Sequence, residues 1–573
     1  MSLSIEVENY ETDVLIVGGG AAATMAAFEC ATVGIKTIQV TKGRATSGTT
    51  TVARGGFAAA MGKDDSPAQH LADILKYGGE LIDPEMARVW CEDIVAIVKD
   101  LEDWGAEFIR SDDGELDLKM FPNHSHARAV HHNDTTGNMV TKVLSRRLRG
   151  DDRIEKHSLT AIVDLVKHDG RVVGAWGVDY RNGKLVTYTA QQVILASGGG
   201  SGLFYVNDNP PQVTGDGYVM GFRAGVNLLG IEMIDFQAMC CSPEELFGFA
   251  PHPTGFINAG AVFRNEEGEE FLKRYFPETA EKSSRSEVIL AMAKEIHAGR
   301  AGSTGGIFMD ATEIPIETIQ KQIPHVYKTC LHRGIDITQT PLEVAPGSHT
   351  WLGGLDVDTY GQSSIPGLFA AGETAGGIHG GNRIGGSALA ASLAFGRRAG
   401  RKAAELVDSD PVLITAARND VIPESERDWL ARLLERTEGP FQGDVRMHCR
   451  MLAHEKLGPI REEKTLREAL TEYERIENED LPNLRLSDEA RETGKGRGEE
   501  IESALSIRNL ALLGRLLSTA ALERAESRGM HYRVDYPDTN DEDWRKVTRL
   551  SRADGDRIVF STDPVKVPAA PPE

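Results

Sequence analysis

The chain has little of what several protein classes require. Only six of its 573 residues are cysteine, and none forms a C-x-x-C pair, so neither a zinc ribbon nor a cysteine-ligated iron–sulfur cluster is indicated. No run of about 18 apolar residues occurs, and the first residues, MSLSIEVENYETD, contain neither a basic nor an apolar signal region. We therefore expect a cytoplasmic protein without a membrane span or metal site of its own, which reaches a membrane only through a partner.

Positive charge is also scarce. The 63 Lys and Arg residues are outnumbered by 86 Asp and Glu, for a formal net charge of −23. This balance excludes a general nucleic-acid surface, which needs clusters of basic residues, but it allows a local basic pocket for a small anion. The length exceeds what one hydrophobic core supports, so two or more lobes are expected. The adjacent Cys240 and Cys241 are interpreted as small buried residues rather than as a redox pair.

Glycine, in contrast, is abundant in one segment, Gly367–Gly396 (GLFAAGETAGGIHGGNRIGGSALAASLAFG). An apolar strand at Leu368–Ala371 leads into a loop that carries Glu373, His379 and Arg383, and a small-residue helix follows. Each glycine costs about 1 kcal/mol relative to alanine in regular structure. A flexible surface loop is disfavoured by the strand and helix on either side. The segment therefore predicts a wall where backbone closely approaches a cofactor and a substrate.

The N-terminal segment predicts a phosphate-binding turn. A short apolar strand at Asp13–Val17 is followed by Gly18–Ala23, which fits G-x-G-x-x-A, and then by a helix. In such a turn the second glycine lets the backbone approach a pyrophosphate at a helix N-terminus. The second strand, Lys36–Val40, is followed by Thr41 and Lys42 rather than by the acid that binds the ribose of NAD. An ordinary NAD-binding domain is therefore disfavoured.

Several glycine motifs occur in a fixed order along the chain: Gly18–Ala23, Thr49–Gly56 (TTTVARGG), Val193–Gly200 (VILASGGG), Thr214–Gly217 (TGDG) and Gly367–Gly396. In this order they resemble the flavoprotein family of fumarate reductase, succinate dehydrogenase and L-aspartate oxidase, whose second strand typically ends in Ser-Lys. The resemblance covers nearly the whole chain. His124–Gly137 and Gly334–Thr340 look most like the L-aspartate oxidase branch, and Glu526–Trp544 looks more like the dehydrogenase and reductase subunits.

The resemblance implies an α/β fold with a Rossmann-like FAD-binding domain, an inserted α+β capping domain and a C-terminal helical domain. The expected boundaries are 1–235 and 349–405 for the FAD-binding domain, 236–348 for the capping domain, 406–530 for the helical domain, and 531–573 for a tail that docks a partner. Apolar spacing predicts helices at Ser284–Gly299, Lys464–Ile476 and Glu500–Arg524.

The cofactor that the resemblance implies is FAD. The residues expected to contact its pyrophosphate, adenosine, flavin ring, ribityl chain and pyrimidine edge are Gly18, Gly20, Ala22, Ala23, Lys42, Thr49, Thr50, Gly55, Gly56, Asp216, Glu373, Ala388 and Leu389. Complex-bound relatives attach the flavin to a histidine, and the aligned residue here is Thr49. Because a hydroxyl lacks the nucleophilic nitrogen of imidazole, we expect non-covalent FAD, with a lower potential that disfavours succinate oxidation.

Three residues resemble the catalytic set of the family. Arg285, in SSRSE, matches the proton-donating arginine. His349, in APGSHTWLGG, and Arg383, in HGGNR, match residues that bind a substrate carboxylate. A guanidinium group suits this role because it binds a carboxylate through two parallel hydrogen bonds. Since arginine keeps its proton up to a pKa above about 12, a relay must reload Arg285, or its role is mainly electrostatic.

The far end of the substrate pocket departs from the family pattern. The second substrate histidine has no counterpart in Asp235–Pro243 (DFQAMCCSP), and its place falls on Cys240 or, with a shifted alignment, on Gln237. The Thr-Glu pair that contacts the distal carboxylate has no match near Ala261–Asn265 (AVFRN). A monocarboxylate, an amino-acid-like substrate or a bulkier unsaturated substrate fits these changes.

Three functions are weighed. The leading one is an FAD-dependent oxidoreductase that reduces or forms a C=C bond next to a carboxylate by hydride transfer with flavin N5. The second is amine oxidation like that of L-aspartate oxidase, and the third is a flavin electron-transfer protein with a decayed substrate site, acting within a larger complex. The expected partners are a small saturated or unsaturated carboxylate and a second copy of the chain. The expected electron partner is an iron–sulfur subunit, free flavin, a quinone or oxygen.

Overall fold

The computed structural model describes residues 6–44, 47–133, 135–251, 253–407, 421–554 and 557–566. The helices are α1 Ala21–Thr32, α2 Thr49–Val52, α3 Pro67–Tyr77, α4 Pro84–Asp103, α5 Thr136–Arg147, α6 Asp216–Ala224, α7 Pro253–Ala259, α8 Phe271–Tyr275, α9 Arg285–His297, α10 Ile316–Gln322, α11 Pro324–His332, α12 Ser387–Glu405, α13 Glu424–Glu435, α14 Gln442–Lys456, α15 Glu463–Arg475, α16 Asp488–Thr493, α17 Arg497–Glu523 and α18 Asp541–Trp544. Among the described residues, no helix has both the length and the apolar character needed to cross a bilayer.

The strands are β1 Val7–Val17, β2 Thr37–Thr41, β3 Phe57–Ala58, β4 Ala129–Val130, β5 Ile154–Ser158, β6 Thr160–His168, β7 Arg171–Asp179, β8 Lys184–Leu195, β9 Leu228–Leu229, β10 Ile234–Cys241, β11 Val262–Arg264, β12 Ile307–Asp310, β13 Leu342–Trp351, β14 Gly354–Leu355, β15 Leu368–Ala370, β16 Ile460–Arg461, β17 Tyr532–Arg533, β18 Lys546–Ala553 and β19 Arg557–Pro564. The principal sheet has the strand order β5-β2-β1-β8-β7-β6, and β15 pairs with the C-terminal end of β8.

The strand β1 lies at the centre of this sheet, with β2 and β8 parallel on its two sides. Its predicted apolar part, 13–17, is almost entirely buried, but the strand begins earlier, at Val7. The reason is pairing rather than hydrophobicity, since residues 7–12 run in parallel register with 185–190 of β8. The carboxyl ends of β1, β2, β8 and β15 meet at one edge of the sheet, where open α/β folds bind their ligands.

Helices α1 and α12 pack closely because two glycines of α12 face α1. A Cβ atom on Gly396 or Gly400 would lie 2.4 or 2.6 Å from the carbonyl oxygens of Ala22 and Ala26, respectively. In the preceding loop, a Cβ on Gly380 would come within 2.5 Å of the Gly78 carbonyl oxygen. The prediction that this segment uses its glycines as a ligand wall is therefore corrected in part, because several of them allow close packing of backbone against backbone.

A second, antiparallel sheet with the order β10-β13-β12-β11 lies between residues 234 and 351. Helix α9 packs against β10 and begins at Arg285. The helix start is fixed by a capping box, in which the Ser284 side chain accepts from the Glu287 amide and the Glu287 carboxylate accepts from the Ser284 amide. The helix predicted at Ser284–Gly299 is thus confirmed, and its cap fixes where the Arg285 side chain leaves the backbone.

The C-terminal third is helical, with α14 and α15 packed on the long helix α17, as the amphipathic patterns predicted. The segment beyond residue 531 was expected to be a tail. Instead, β18 and β19 form a hairpin that pairs with β9. Fully buried Arg524 holds this hairpin by donating to Glu232 at 2.8 Å, while Thr548 of β18 donates to the same carboxylate. The proline-rich end from residue 567 lies outside the described residues.

Candidate active site

Two arginines from different parts of the chain share one buried carboxylate. Arg285 begins α9, Arg383 lies in the loop before α12, and both guanidinium groups donate to Oδ2 of Asp235 in β10. The Arg383 Nη2 atom is 2.9 Å from that oxygen. The side chain of Asp235 is 1% exposed, that of Arg383 is 6% exposed, and that of Arg285 is 31% exposed. Asp235 thus lies behind the two arginines, and Arg285 is the one that reaches solvent.

The charges in this cluster are set by burial and by mutual attraction. Burial opposes ionisation of Asp235, but Arg285 and Arg383 outweigh it and hold the pKa of the carboxyl below its ordinary value. Burial lowers the pKa of Arg383, although a guanidinium group remains protonated at neutral pH. His379 is buried nearby, and burial together with the Arg383 charge lowers its pKa to about 3. The cluster therefore holds two cations, one carboxylate and a neutral imidazole.

His349 is held by a chain of hydrogen bonds. Its Nδ1 atom lies 2.8 Å from Oδ2 of Asp208, and its carbonyl oxygen accepts from Asn209 Nδ2 at 2.7 Å. The Thr49 hydroxyl donates to Oδ1 of the same Asn209 at 2.6 Å. Thr49, which is predicted to lie against the flavin ring, is therefore connected to the candidate substrate histidine through the side chain of Asn209.

Glu373 lies at the turn after β15. Its Oε1 accepts from the Trp351 amide at 2.8 Å, and the carboxylate fills the space beside Gly199, where a Cβ atom would be only 2.0 Å away. Burial raises the pKa of Glu373 to about 7, and the hydrogen bond from Trp351 only partly offsets this. The predicted cofactor contact is thus a carboxyl group that changes protonation near neutral pH.

The N-terminus of α1 fits the pyrophosphate of FAD. The N-cap residue, Gly20, offers no side chain, and the first turn, which contains Ala22 and Ala23, has no acidic residue. One amide of this turn is already bound, because the Ala21 amide donates to the Thr50 hydroxyl at 3.0 Å. At Gly18 φ is +140°, and a Cβ would lie 2.0 Å from the carbonyl oxygen of Ala196, directly after β8, so only glycine fits there. The remaining amides of the first turn and the positive helix end suit an anionic phosphate group.

A second uncapped helix start fits the other end of the cofactor. Helix α12 follows Gly386, which has φ +80°, and no side chain caps it. The hydroxyl of Ser387 is buried without a hydrogen-bond partner in the described structure, directly before Ala388 and Leu389. An unpaired buried hydroxyl is unfavourable on its own, so a ligand group at this helix end would satisfy it. The residues present therefore fit FAD.

The Lys42 ammonium group is bound inside the protein. It lies 2.8 Å from Oδ2 of Asp216 and 2.9 Å from Oε1 of Glu502, while Asn509 donates to the other Asp216 oxygen at 2.7 Å. Burial opposes the Lys42 charge, but the two carboxylates raise its pKa above the ordinary value. The proximity of Lys42 to adenosine and of Asp216 to the ribityl chain stays a prediction, and the side chains of both residues already have protein partners.

The other residues predicted to contact FAD or substrate do not join the cluster around Asp235. A Cβ on Gly56 would lie 2.6 Å from the carbonyl oxygen of Val130, and Gly55 lies beside the Phe121 ring. Gln237 Oε1 accepts from the Ala238 amide at 3.0 Å. Cys240 is fully buried, as expected, and its sulfur packs beside Gly347. Among the described residues, no hydrogen bond joins Gln237 or Cys240 to Arg285, His349 or Arg383, and their substrate contacts stay predictions.

Comparison with known proteins identifies the family of the chain. A family model described as an FAD binding domain matches residues 13–389, and one described as the fumarate reductase flavoprotein C-terminus matches residues 446–573. The chain belongs to the fumarate reductase and succinate dehydrogenase flavoprotein family. As a member of this family it is an FAD-dependent oxidoreductase, and the resemblance, the fold class and the cofactor expected from the sequence are confirmed.

Individual members of the family resemble the whole chain. It is 34% identical to a fumarate reductase (CoM/CoB) subunit of Methanothermobacter marburgensis, with 96% of this chain and 98% of that protein covered. It is 30% identical to L-aspartate oxidase of Pseudomonas aeruginosa, covering 93% and 96%. The solved structure of Mycobacterium smegmatis Sdh1 in complex with UQ1 is 31% identical, with a TM-score of 0.89 and coverage of 98% and 96%.

Three polar residues of this flavoprotein site were missed by the sequence reasoning: Asp208, Asn209 and Asp235. Asp208 and Asn209 lie in an irregular loop, and nothing in their local sequence marks them. Asp235 does leave a signal, since it is the only charged residue in the strand IDFQAMCC, all of which is buried. A buried carboxylate requires a partner, so such a residue indicates a nearby cation.

Proposed function

We propose that this flavoprotein reduces, or in reverse forms, a C=C bond next to a carboxylate. The observation that carries the proposal is the convergence of Arg285 and Arg383 on a single carboxylate, although they come from separate elements. Two guanidinium groups so placed present their remaining donors to a substrate carboxylate and to the adjacent carbon. The burial of Arg383 strengthens its attraction to an anion.

Each residue has a defined task in this proposal. Arg383 binds the substrate carboxylate and thereby orients the double bond, and His349 supports the same carboxylate. Bound FAD supplies the chemistry of hydride transfer at N5. Arg285 would deliver a proton to the carbon that does not accept the hydride, so that the C=C bond gains one hydrogen from the reduced cofactor and one from Arg285. Because Arg285 is 31% exposed, it regains a proton from the solvent side.

Amine oxidation is the second candidate, and one observation favours it. The residue at the attachment position is Thr49, as in the L-aspartate oxidase type, and its hydroxyl donates to Asn209 rather than offering a nucleophile. In that reaction the substrate would lose a hydride and a proton from its amino-bearing carbon and nitrogen. Reduction of oxidised holoprotein by L-aspartate would support this candidate over the first.

The electron partner is proposed to be a separate iron–sulfur subunit. Two of the related proteins are named as subunits, namely the succinate dehydrogenase flavoprotein subunit of Rickettsia felis and the fumarate reductase (CoM/CoB) subunit of M. marburgensis. We propose a cytoplasmic location, with membrane association only through such a partner. Purification from the native host with iron analysis tests this, and a homogeneous, iron-free, fully active flavoprotein would contradict it.

The decisive experiment is an anaerobic reoxidation screen. The holoprotein is reduced and then mixed with fumarate, other 2-enoates and iminoaspartate, and the flavin absorbance is followed. Reoxidation by 2-enoates with recovery of the saturated acid supports the proposal. Reoxidation by iminoaspartate alone supports the amine chemistry, and no reaction with any of these compounds contradicts both.

A further inference from the structure

Asp235 places a negative charge within the proposed carboxylate-binding site. Its Oδ2 is shared by both arginines, and its Oδ1 is buried without a hydrogen-bond partner among the described residues. The two arginines hold the carboxyl ionised by keeping its pKa low against the opposing effect of burial. One of the two guanidinium charges is thus balanced by the protein itself before any substrate binds.

The other titratable residues near this cluster add no net positive charge to it. His349 is paired with Asp208, so this pair contributes no net positive charge whether or not the imidazole is protonated. Glu373 is buried with a pKa of about 7 and therefore contributes either no charge or a negative one at neutral pH. Arg285, Arg383 and Asp235 together carry a single net positive charge, which one substrate carboxylate neutralises.

We propose that Asp235 makes this site selective for monocarboxylates: its substrate is a 2-enoate, or the corresponding saturated acid, with one carboxylate and an uncharged second end. This rests on the proposed function. The cations that act most strongly on Asp235 are Arg285, Arg383 and His349, so this cluster holds no further cation for a second carboxylate. An uncompensated charge is strongly unfavourable in a site of low dielectric. Asp235 lies behind both arginines and is therefore a positioning residue for the carboxylate that binds Arg383.

The test compares fumarate with monomethyl fumarate. The two compounds have similar shape and similarly activated double bonds, but the ester carries one negative charge fewer. With reduced holoprotein under anaerobic conditions, we expect monomethyl fumarate to reoxidise the flavin at least about tenfold more efficiently, which corresponds to the removal of one uncompensated charge. A preference for fumarate in the unmodified protein would overturn the proposal without any variant.

The second arm changes Asp235. In Asp235→Asn the site keeps its shape and gains one net positive charge. We therefore expect the ratio of the rate constants for reoxidation by fumarate and by monomethyl fumarate to rise at least about tenfold. The matched control is Glu295→Gln, because Glu295 is another fully buried carboxylate that two arginines, Arg274 and Arg300, share. An equal ratio shift in both variants, or no shift in Asp235→Asn, contradicts the proposal.

Ligand binding without turnover tests the charge selectivity independently of the proposed reaction. The oxidised holoprotein is titrated with butyrate and with succinate, and the flavin absorbance reports binding without turnover. Tighter binding of butyrate than of succinate, with this preference lost or reversed in Asp235→Asn, supports the charge selectivity. This holds even if no enoate reacts, and in that case only the proposed reaction is contradicted. Tighter binding of succinate to the unmodified protein contradicts the inference while leaving enoate reduction in place.

Discussion

The Nδ1 atom of His349 lies 2.8 Å from Oδ2 of Asp208. Because a carboxylate only accepts hydrogen bonds, this contact requires the proton of the imidazole on Nδ1. The same histidine is held at its backbone by Asn209, whose side chain also accepts from Thr49. The ring orientation of the candidate substrate histidine therefore depends on two adjacent loop residues.

We expect Asp208→Asn to lower kcat/KM by about 10- to 100-fold, since a hydrogen bond to a charged group contributes about 1.5–3 kcal/mol. The loss should come mainly through KM, because the imidazole that supports the substrate carboxylate is no longer held in its orientation. Steady-state kinetics separates the effect on KM from the effect on kcat. The control is Glu155→Gln, which changes a comparable acid–histidine contact with His157 in β5. An unchanged kcat/KM in Asp208→Asn would show that this contact does not position His349.

A second prediction concerns Arg285. Arg285→Lys keeps the positive charge but loses the planar fork that reaches Asp235, so proton delivery to the substrate should be misdirected. We expect kcat to fall by about 100-fold or more, as is typical when a general acid is lost, with FAD binding unchanged. Stopped-flow reoxidation of the reduced variant by a 2-enoate measures the step directly. Arg274→Lys, at the Glu295 carboxylate, serves as control. Intact turnover in Arg285→Lys would refute proton delivery by Arg285.

Local sequence motifs indicate the side chains of the candidate site but not their arrangement. Arg285, His349 and Arg383 could be proposed from the sequence because each lies in a short motif that resembles the family. Their common geometry could not be predicted, because it depends on which distant residues the fold brings to Asp235 and Asp208, and no local pattern encodes such pairings. The hairpin at Lys546–Pro564 was missed for a related reason: its strands are only half-buried and polar, and their pairing with Leu228–Leu229 of β9 is a long-range contact.

A third prediction concerns the attachment of FAD. The Thr49 hydroxyl is hydrogen-bonded to Asn209, and a hydroxyl lacks the nucleophilic nitrogen of an imidazole. We expect acid precipitation of the holoprotein to release all of the flavin into the supernatant, where its absorbance is measured. The polypeptide pellet should show no flavin fluorescence under ultraviolet light. Flavin retained by the washed pellet would contradict non-covalent binding.

A fourth prediction concerns pH and stability. Burial raises the pKa of Glu373 from 4.5 to about 7, so the folded state holds a proton that the unfolded state releases between these values. The contribution of Glu373 is therefore fully present below pH 4.5 and is lost as the pH rises toward 7, at about 1.4 kcal/mol per pH unit.

The FAD-free protein and its Glu373→Gln variant should consequently differ in how steeply their free energy of unfolding changes with pH. Glutamine can still accept from the Trp351 amide but does not titrate, so its free energy of unfolding should fall less between pH 5 and pH 7. Between pH 4.5 and about pH 7, the change in the free energy of unfolding should differ between the two proteins by at most about 3 kcal/mol. Urea denaturation at several pH values measures it. Parallel pH dependences of the two proteins would show that Glu373 does not titrate in this range.

The last prediction concerns the buried ion network of Lys42. Its ammonium group contacts both Asp216 and Glu502, and Glu502 belongs to α17, so the network joins the end of β2 to the C-terminal helices. Lys42→Met leaves two carboxylates close together in a buried site without a cation. We expect the free energy of unfolding to fall by about 3–5 kcal/mol, which is typical of breaking a buried ion pair from one side. Urea denaturation of the holoprotein measures this loss.

The double variant Lys42→Met/Glu502→Gln identifies the cause of that loss. Removing the Glu502 charge leaves Asp216 with the amide of Asn509 and the hydroxyl of Thr214, so most of the repulsion is relieved. The double variant should therefore be more stable than Lys42→Met alone, although it contains one substitution more. If Glu502→Gln instead destabilises the Lys42→Met protein further, lost packing around the lysine stem, rather than uncompensated charge, accounts for the effect.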